Sequence, residues 1–286
     1  MNKSGGNTSS TEIRDDVFIK YMPKSKYDYR VGIFQTRLFY NIDNLNGFEI
    51  NKGIYGHPAN TDPEIIECRY EVVKECEWNL GVTSVSIIAE NMAKIHNHCW
   101  KEGDTIDLPH KELMYDDLMA WEEAVNNKVA LKRDLSIRKK IQKDIKGINE
   151  KQLKIALHRD FRKHNILWDG DKYTLIDFDF AAFDFISIEI MSFVSDMLDI
   201  EELDFSFALI EKFFETYKEH SNIKGIIWKD LVTDYLNYLC VNTFPLYLKS
   251  TLPTENFKEL MKQRNETLLK LYKFESELKE LILKNN

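Results

Sequence analysis

The sequence predicts an α+β chain of two lobes, a small N-terminal β-sheet lobe over residues 1–80 and a larger, mainly helical C-terminal lobe over residues 81–286. Three observations lead there. Short apolar runs with two-residue alternation occupy the first eighty residues, a helical period takes over at Val82, and the helical second part is interrupted only by short apolar runs between Ile155 and Ile176. A hydrophobic content of 43% is enough for a packed core and excludes overall disorder.

In chain order, VFIKYM, FEINKGIYGH and IIECRYEVV read as strands, with one helix around Tyr29 to Tyr40 between the first two. From Val82 the residues Ile87, Ile88, Met92 and Ile95 share a helix face, Ser84 is placed to cap that helix, and Asn79 to Gly81 mark the lobe boundary. Asp116 to Gln152 is helical and densely charged. Its basic run, with Arg138, Lys139, Lys140, Lys143 and Lys146, reads as a solvated helix face. The runs IAL, NILW and YTLI follow, the last two joined across Asp169, Gly170 and Asp171, a turn signal that makes them a hairpin. From Ser187 the chain is mostly helical, and Leu260, Leu268, Leu271, Leu278 and Ile282 form a stripe expected to pack on the core.

Charge and composition narrow the function classes. Lys+Arg 39 against Asp+Glu 47 leaves a net charge of −8, so the chain has no global positive field for a nucleic acid and favours a cationic small molecule instead. Cys68, Cys76, Cys99 and Cys240 form no CxxC pair and read as reduced thiols. With a polar N-terminal stretch and no apolar run of membrane-spanning length, the expectation is a soluble, cytoplasmic protein without a membrane partner.

The chemistry concentrates in HRDFRKHNILWDGDKYTLIDFD, His158 to Asp179. Asp160 is followed by Asn165 five positions on, and Asp177 follows twelve positions later across the hairpin. Phosphoryl transfer from ATP requires a carboxylate for the acceptor hydroxyl, plus an amide oxygen and a second carboxylate to hold Mg²⁺ against the phosphates. A loop presents the first two, and the hairpin returns the chain with the third.

This pattern resembles the catalytic loop and metal-binding segment of the protein-kinase-like superfamily. Its close spacing and IDFD form are most similar to the aminoglycoside phosphotransferase and choline kinase branch, nearest in style to bacterial spore-coat kinase-like proteins. The resemblance implies a bilobal protein-kinase-like fold, ATP (or GTP) and Mg²⁺ as cofactors, and transfer to a hydroxyl of an aminoglycoside, choline or similar amino alcohol or sugar. It further implies Asp160 as catalytic base, Asn165 and Asp177 as metal ligands, and His158 as support for the loop. Arg162 occupies the place of a phosphate-contacting lysine. Upstream, the resemblance implies a glycine-rich turn at Gly5 and Gly6, with Thr8 or Ser9 donating to a phosphate, and Lys20 on the following strand as the phosphate clamp.

The chain also departs from the family pattern. Few residues precede Gly5, so the first strand of the lobe is expected to be nearly absent. The helix YRVGIFQTRLFY carries no Glu to pair with Lys20, Gln35 standing near that place, and Asp179 replaces the Gly of a DFG-type segment. These departures keep open a second reading, a kinase-like binding or assembly protein with little transfer activity. A protein kinase is disfavoured by the lack of an APE-like motif. Asp184 and Glu189 resemble the acidic positions that follow in the family, Glu189 as a buttress. Of the remaining features, Trp228, Tyr235 and Tyr238 read as helix core, and Asp199, Glu201, Glu202 and Asp204 as a solvated acidic loop that could receive a cation. His96, His98 and Cys99 lack a second ligand pair at zinc spacing.

Overall fold

Alternation along Val17–Pro23 buries Ile19, Lys20 and Met22, and this strand lies at the centre of the N-terminal sheet. The structure is a computed structural model that describes residues 10–14, 17–24, 28–42, 44–59, 62–102, 108, 118–128, 130–145, 147–242 and 254–284. It contains two compact units. The first comprises Met1–His110, Ile155–Asp184 and Glu215–Ile223, the second Lys111–Lys154, Phe185–Phe214 and Lys224–Asn286.

In the first unit, β1 (Ser10–Arg14), β2 (Val17–Pro23), β4 (Gly53–Ala59) and β5 (Asp62–Glu71) form an antiparallel sheet in the order β1-β2-β5-β4. Lys20 stands opposite Cys68 in the β2/β5 register. Helix α1 (Tyr29–Asn41) starts at Asp28, whose carboxylate accepts the Arg30 N–H at 3.0 Å, and buries Phe34, Gln35 and Leu38. The helix approaches β4 closely. A Cβ on Gly53 would lie 3.1 Å from both Gln35 Oε1 and Tyr70 Cε1, so only a glycine fits there without a shift of its neighbours.

The run FEINKGIYGH divides into two strands rather than one. Its first part, β3 (Phe48–Ile50), leaves the N-terminal sheet and runs parallel to β8 (Tyr173–Leu175), which is paired in turn with β7 (Ile166–Trp168). The chain bends where Asn51 N–H donates to Leu175 O at 2.9 Å and Gln35 Nε2 donates to Asn51 O at 2.7 Å. Helix α2 (Val82–Glu102) buries Val85, Ile88, Ala89, Met92 and Ile95. Ser84 lies inside its first turn and is not the cap. Its hydroxyl accepts Gly81 N–H at 2.9 Å and is 3.2 Å from Asn79 O, tying down the approach to the helix. His96 is fully buried, 2.6 Å from the Tyr217 hydroxyl, and no cluster of metal-ligating side chains occurs among the described residues.

The second unit is helical: α3 (Met119–Asn126), α4 (Lys132–Asp144), α5 (Ile186–Met197), most of α6 (Leu203–His220), α7 (Leu231–Val241), α8 (Thr254–Lys273) and α9 (Glu275–Leu283). Almost every residue of α5 is buried, and Leu268, Leu271, Leu278 and Ile282 close the core from α8 and α9. The basic run of α4 is only partly a solvated face. Lys139, Lys140 and Lys143 are exposed, but Arg138 is 2% exposed because helical spacing puts it on the same face as Asp134 and Ile141. Lys146 falls outside the described residues. Tyr235 is buried and stacks near Tyr238, and Trp228 packs on Phe214. Glu201 N–H donates to the Asp199 carboxylate in an exposed turn before α6. Among the described residues, no helix is long and apolar enough to cross a membrane.

Candidate active site

Strand β6 (Lys154–Leu157) is buried on three of its four residues and delivers the chain into His158, Arg159 and Asp160. Arg159 adopts a left-handed backbone conformation, φ 67°, which a non-glycine residue holds only when its surroundings enforce it. Arg159 Nε lies 2.9 Å from Asp184 Oδ2, both side chains are buried, and Asp184 is on β9 (Ala182–Phe185), the strand paired with β6. Asp184 therefore buttresses the loop directly, and Glu189 is fully buried on α5.

After Asp160 the chain makes a short 3₁₀ turn, Lys163–Asn165, that folds Asn165 back toward it. Asn165 Nδ2 donates to the Asp160 backbone oxygen and to Asp160 Oδ2, both at 2.8 Å. Both bonds use the amide nitrogen and neither engages the Asn165 oxygen. His164 Nε2 is 3.4 Å from the same carboxylate oxygen. Burial alone would raise the Asp160 pKa, but the His164 contact and the charges of His158 and Arg162 outweigh it and hold the carboxyl below its ordinary range. Arg162 thus bears on Asp160 through its charge.

The hairpin brings the second carboxylate alongside. Ile176 N–H donates to Asn165 O at 2.9 Å, and His158 Nε2 is 2.8 Å from Ile176 O, so the residue before Asp177 is tied to the His158–Asn165 loop from both sides. His158 supports the loop as the resemblance implied, packed on Phe178 with ring centres 4.4 Å apart. Asp177 is also left-handed, φ 61°, a conformation that Asp tolerates better than most residues. This twist starts a 3₁₀ turn, Phe178–Phe180, that presents Asp179 beside Asp177.

Lys20 meets both. Its ammonium is 3.0 Å from Asp177 Oδ1 and 2.5 Å from Asp179 Oδ2, and its side chain is almost wholly buried. Burial would lower the Lys20 pKa, yet the two carboxylates outweigh it and raise the group, keeping it charged. Burial, reinforced by Asp177 and opposed by Lys20, pushes Asp179 upward. Two carboxylates sharing one ammonium leave a residual negative charge, and hard oxygen donors of this kind suit a divalent cation such as Mg²⁺. Gln35 does not approach Lys20 in the role of the missing Glu; it holds Asn51, while Glu49 accepts the Thr174 hydroxyl at 2.9 Å and pairs with Lys172.

In the sequence Asp179 stands only as a replacement for glycine; its shared contact with Lys20 brings it beside Asp177 in the candidate site. The signal for it was the second acid of IDFD. Gly5, Gly6, Thr8 and Ser9 lie outside the described residues.

Residues 86–220 match the APH phosphotransferase enzyme family. No curated protein matches the sequence. Among solved structures, an amicoumacin kinase in complex with AMP-PNP, Ca²⁺ and Ami superposes with TM-score 0.63 at 8% identity, covering 94% of this chain and 87% of that one. The choline kinase of Cryptosporidium parvum Iowa II gives 0.58 at 14% identity, with 96% and 88% covered. A GDP complex of an aminoglycoside 2'-phosphotransferase gives 0.59 at 11%, with 97% and 92% covered. The fold is protein-kinase-like, and the match to the phosphotransferase enzyme family over residues 86–220 contains the His158–Asn165 loop and the hairpin.

Proposed function

We propose that the chain transfers the γ-phosphoryl group of ATP to a hydroxyl of a small molecule, with an amino sugar or amino alcohol as the leading acceptor class. The observation that carries this reading is the juxtaposition within one unit of the Asp160–Asn165 pair and the Lys20–Asp177–Asp179 triad. The residues suited to hold Mg²⁺ are Asn165 through its amide oxygen, Asp177 and Asp179. When bound there, the cation neutralises charge on the phosphates.

The chain's own groups account for the remaining roles. Asp160, ionised and held by Asn165, orients the acceptor hydroxyl and takes its proton as the oxygen bonds to the γ-phosphorus. The bond to the β-bridging oxygen breaks and ADP leaves. Lys20 exchanges its contact with the aspartates for the nucleotide phosphates, and Arg162 adds positive charge near the transferring group. Residues 1–80 serve as the nucleotide lobe in this scheme, with Gly5, Gly6, Thr8 and Ser9 against the phosphates, and residues 81–286 carry catalysis and acceptor binding. GTP is the alternative donor.

One observation favours the second reading, a binding or assembly protein with little transfer: Lys20 is engaged by both aspartates, and α1 offers Gln35 in place of a carboxylate partner. A screen of nucleotide consumption against amino sugars, amino alcohols and sugars separates the two. Turnover with any acceptor supports transfer. Thermal stabilisation by ATP with Mg²⁺ but no turnover favours the binding protein, and no stabilisation at millimolar ligand overturns the nucleotide-dependent transfer reading.

A further inference from the structure

The buried side-chain atoms that find no hydrogen-bond partner are few among the described residues, and three of them belong to Trp121, to Arg138 stacked on it, and to Arg264, whose charge bears on Arg138. They are Trp121 Nε1 on α3, Arg138 Nε on α4 and Arg264 Nε on α8. The Arg138 guanidinium lies 3.7 Å from the centre of the Trp121 ring, and both side chains are fully enclosed. Burial, with the nearby charge of Arg264 adding to it, pulls Arg138 down to about 10.

The acceptors around these donors are already engaged. Arg138 Nη1 donates to Asp134 O at 3.1 Å and to Asn265 Oδ1 at 2.8 Å. Asn265 Nδ2 donates to Asp134 Oδ1 at 2.7 Å, and Asp134 Oδ2 takes the Leu131 N–H at 3.3 Å. Neither arginine forms an ion pair among the described residues. Two guanidinium groups and one carboxylate leave an excess of one positive charge beside three N–H groups that all require an acceptor.

We propose that Trp121, Arg138 and Arg264 form a binding site for a small inorganic anion of halide size within the helical unit. A native protein satisfies its buried polar groups, and when protein acceptors are used up an ion or a water does so. A water would bring two hydrogens needing acceptors of their own and would leave the charge uncompensated. An anion only accepts, can do so from several directions at once, and cancels the excess charge. The enclosure of Trp121 and Arg138 favours a monatomic ion over a phosphate ester, and Arg264, half-buried, marks its route from solvent.

Thermal unfolding of the full chain in sodium chloride, sodium bromide and sodium gluconate at one ionic strength tests the site, together with anomalous diffraction from bromide-soaked crystals. The expected result is a saturable rise in Tm with either halide and none with gluconate. A bromide peak should lie against the three Nε atoms, and the half-saturating halide concentration should rise about tenfold or more in Arg264→Gln and in Trp121→Phe, a loss of roughly 1.4 kcal/mol in affinity. Arg264 is half-buried and phenylalanine keeps an aromatic ring against Arg138, so at least one of the two variants should fold. Equal Tm in all three salts, a non-exchanging water in place of bromide, or an unaltered halide response in the folded variants would overturn the proposal.

Discussion

Two buried arginines show how differently the two units treat charge. Arg159, in the His158–Asn165 loop, faces the carboxylate of Asp184 across the β6/β9 pair. Arg138, in the helical unit, lies against an indole ring, a backbone oxygen and an asparagine amide, with no carboxylate partner among the described residues. The same contrast recurs at a second group in each unit. Lys20 is shared by Asp177 and Asp179, whereas Asp234 on α7 accepts only from neutral donors, Asn149 N–H at 2.9 Å and Gln152 Nε2 at 3.1 Å. Opposite charges around the loop hold a strained backbone and leave groups that can exchange a cation for a ligand. In the helices, neutral partners satisfy single charges and leave their electrostatics uncompensated.

The largest expected effect lies in the loop. Asp160→Ala should lower kcat by about 10²–10⁴-fold while leaving nucleotide affinity nearly intact, and Asp177→Ala should abolish metal-dependent nucleotide binding. Calorimetric titration alongside turnover measures both. Equal loss of nucleotide affinity in the two variants would show that the roles are misassigned.

Next comes the ion pair. Asp184→Asn removes the charge facing Arg159 and should cost about 3 kcal/mol in urea unfolding, the scale of removing one partner of a buried ion pair. In the helical unit the comparable change is Asn265→Ala, which strips an acceptor from Arg138 and a donor from Asp134. Its expected cost is about 2 kcal/mol, the scale of unsatisfied buried groups. A larger loss for Asn265→Ala than for Asp184→Asn would reverse the contrast.

The smallest effect is pH-dependent. Burial, only partly offset by bonds from Asn149 and Gln152, raises the Asp234 carboxyl from 3.8 to about 6. A carboxyl with a raised folded-state pKa binds more protons when folded, so its contribution favours the native state below about pH 4 and is lost as the pH rises through about 6. The loss is on the order of 1–3 kcal/mol. Asp234→Asn removes this slope, so the stability of the variant relative to wild type should improve between pH 4 and pH 7. Parallel pH profiles for the two proteins would refute the assignment.

Legibility from the sequence followed contact range. Asp160, Asn165 and Asp177 lie within one loop and hairpin, so the spacing alone was enough to propose a phosphotransfer site, and β7, β8 and their Asp-Gly turn formed where expected. Helices α1 and α2 were likewise visible, since periodicity acts over a few residues, although the cap expected at Ser84 was not one. The glycine-rich turn at Gly5 and Gly6 lies outside the described residues.

What the sequence by itself determined was the local chemistry: a carboxylate, an amide and a carboxylate in order, on a chain whose periodicity changes from two to 3.6 at Val82. Only the tertiary structure decided which charges meet. Lys20 reaches Asp179 across 159 positions, Arg159 takes Asp184 as its partner, Phe48–Ile50 joins the hairpin instead of the N-terminal sheet, and Arg138 turns inward while its basic neighbours stay in solvent. The reason is physical. Periodicity states which side of an element is apolar, but a buried charge or an unpaired strand edge is satisfied by whatever the packing brings within hydrogen-bond range, and that choice is made between elements distant in the chain.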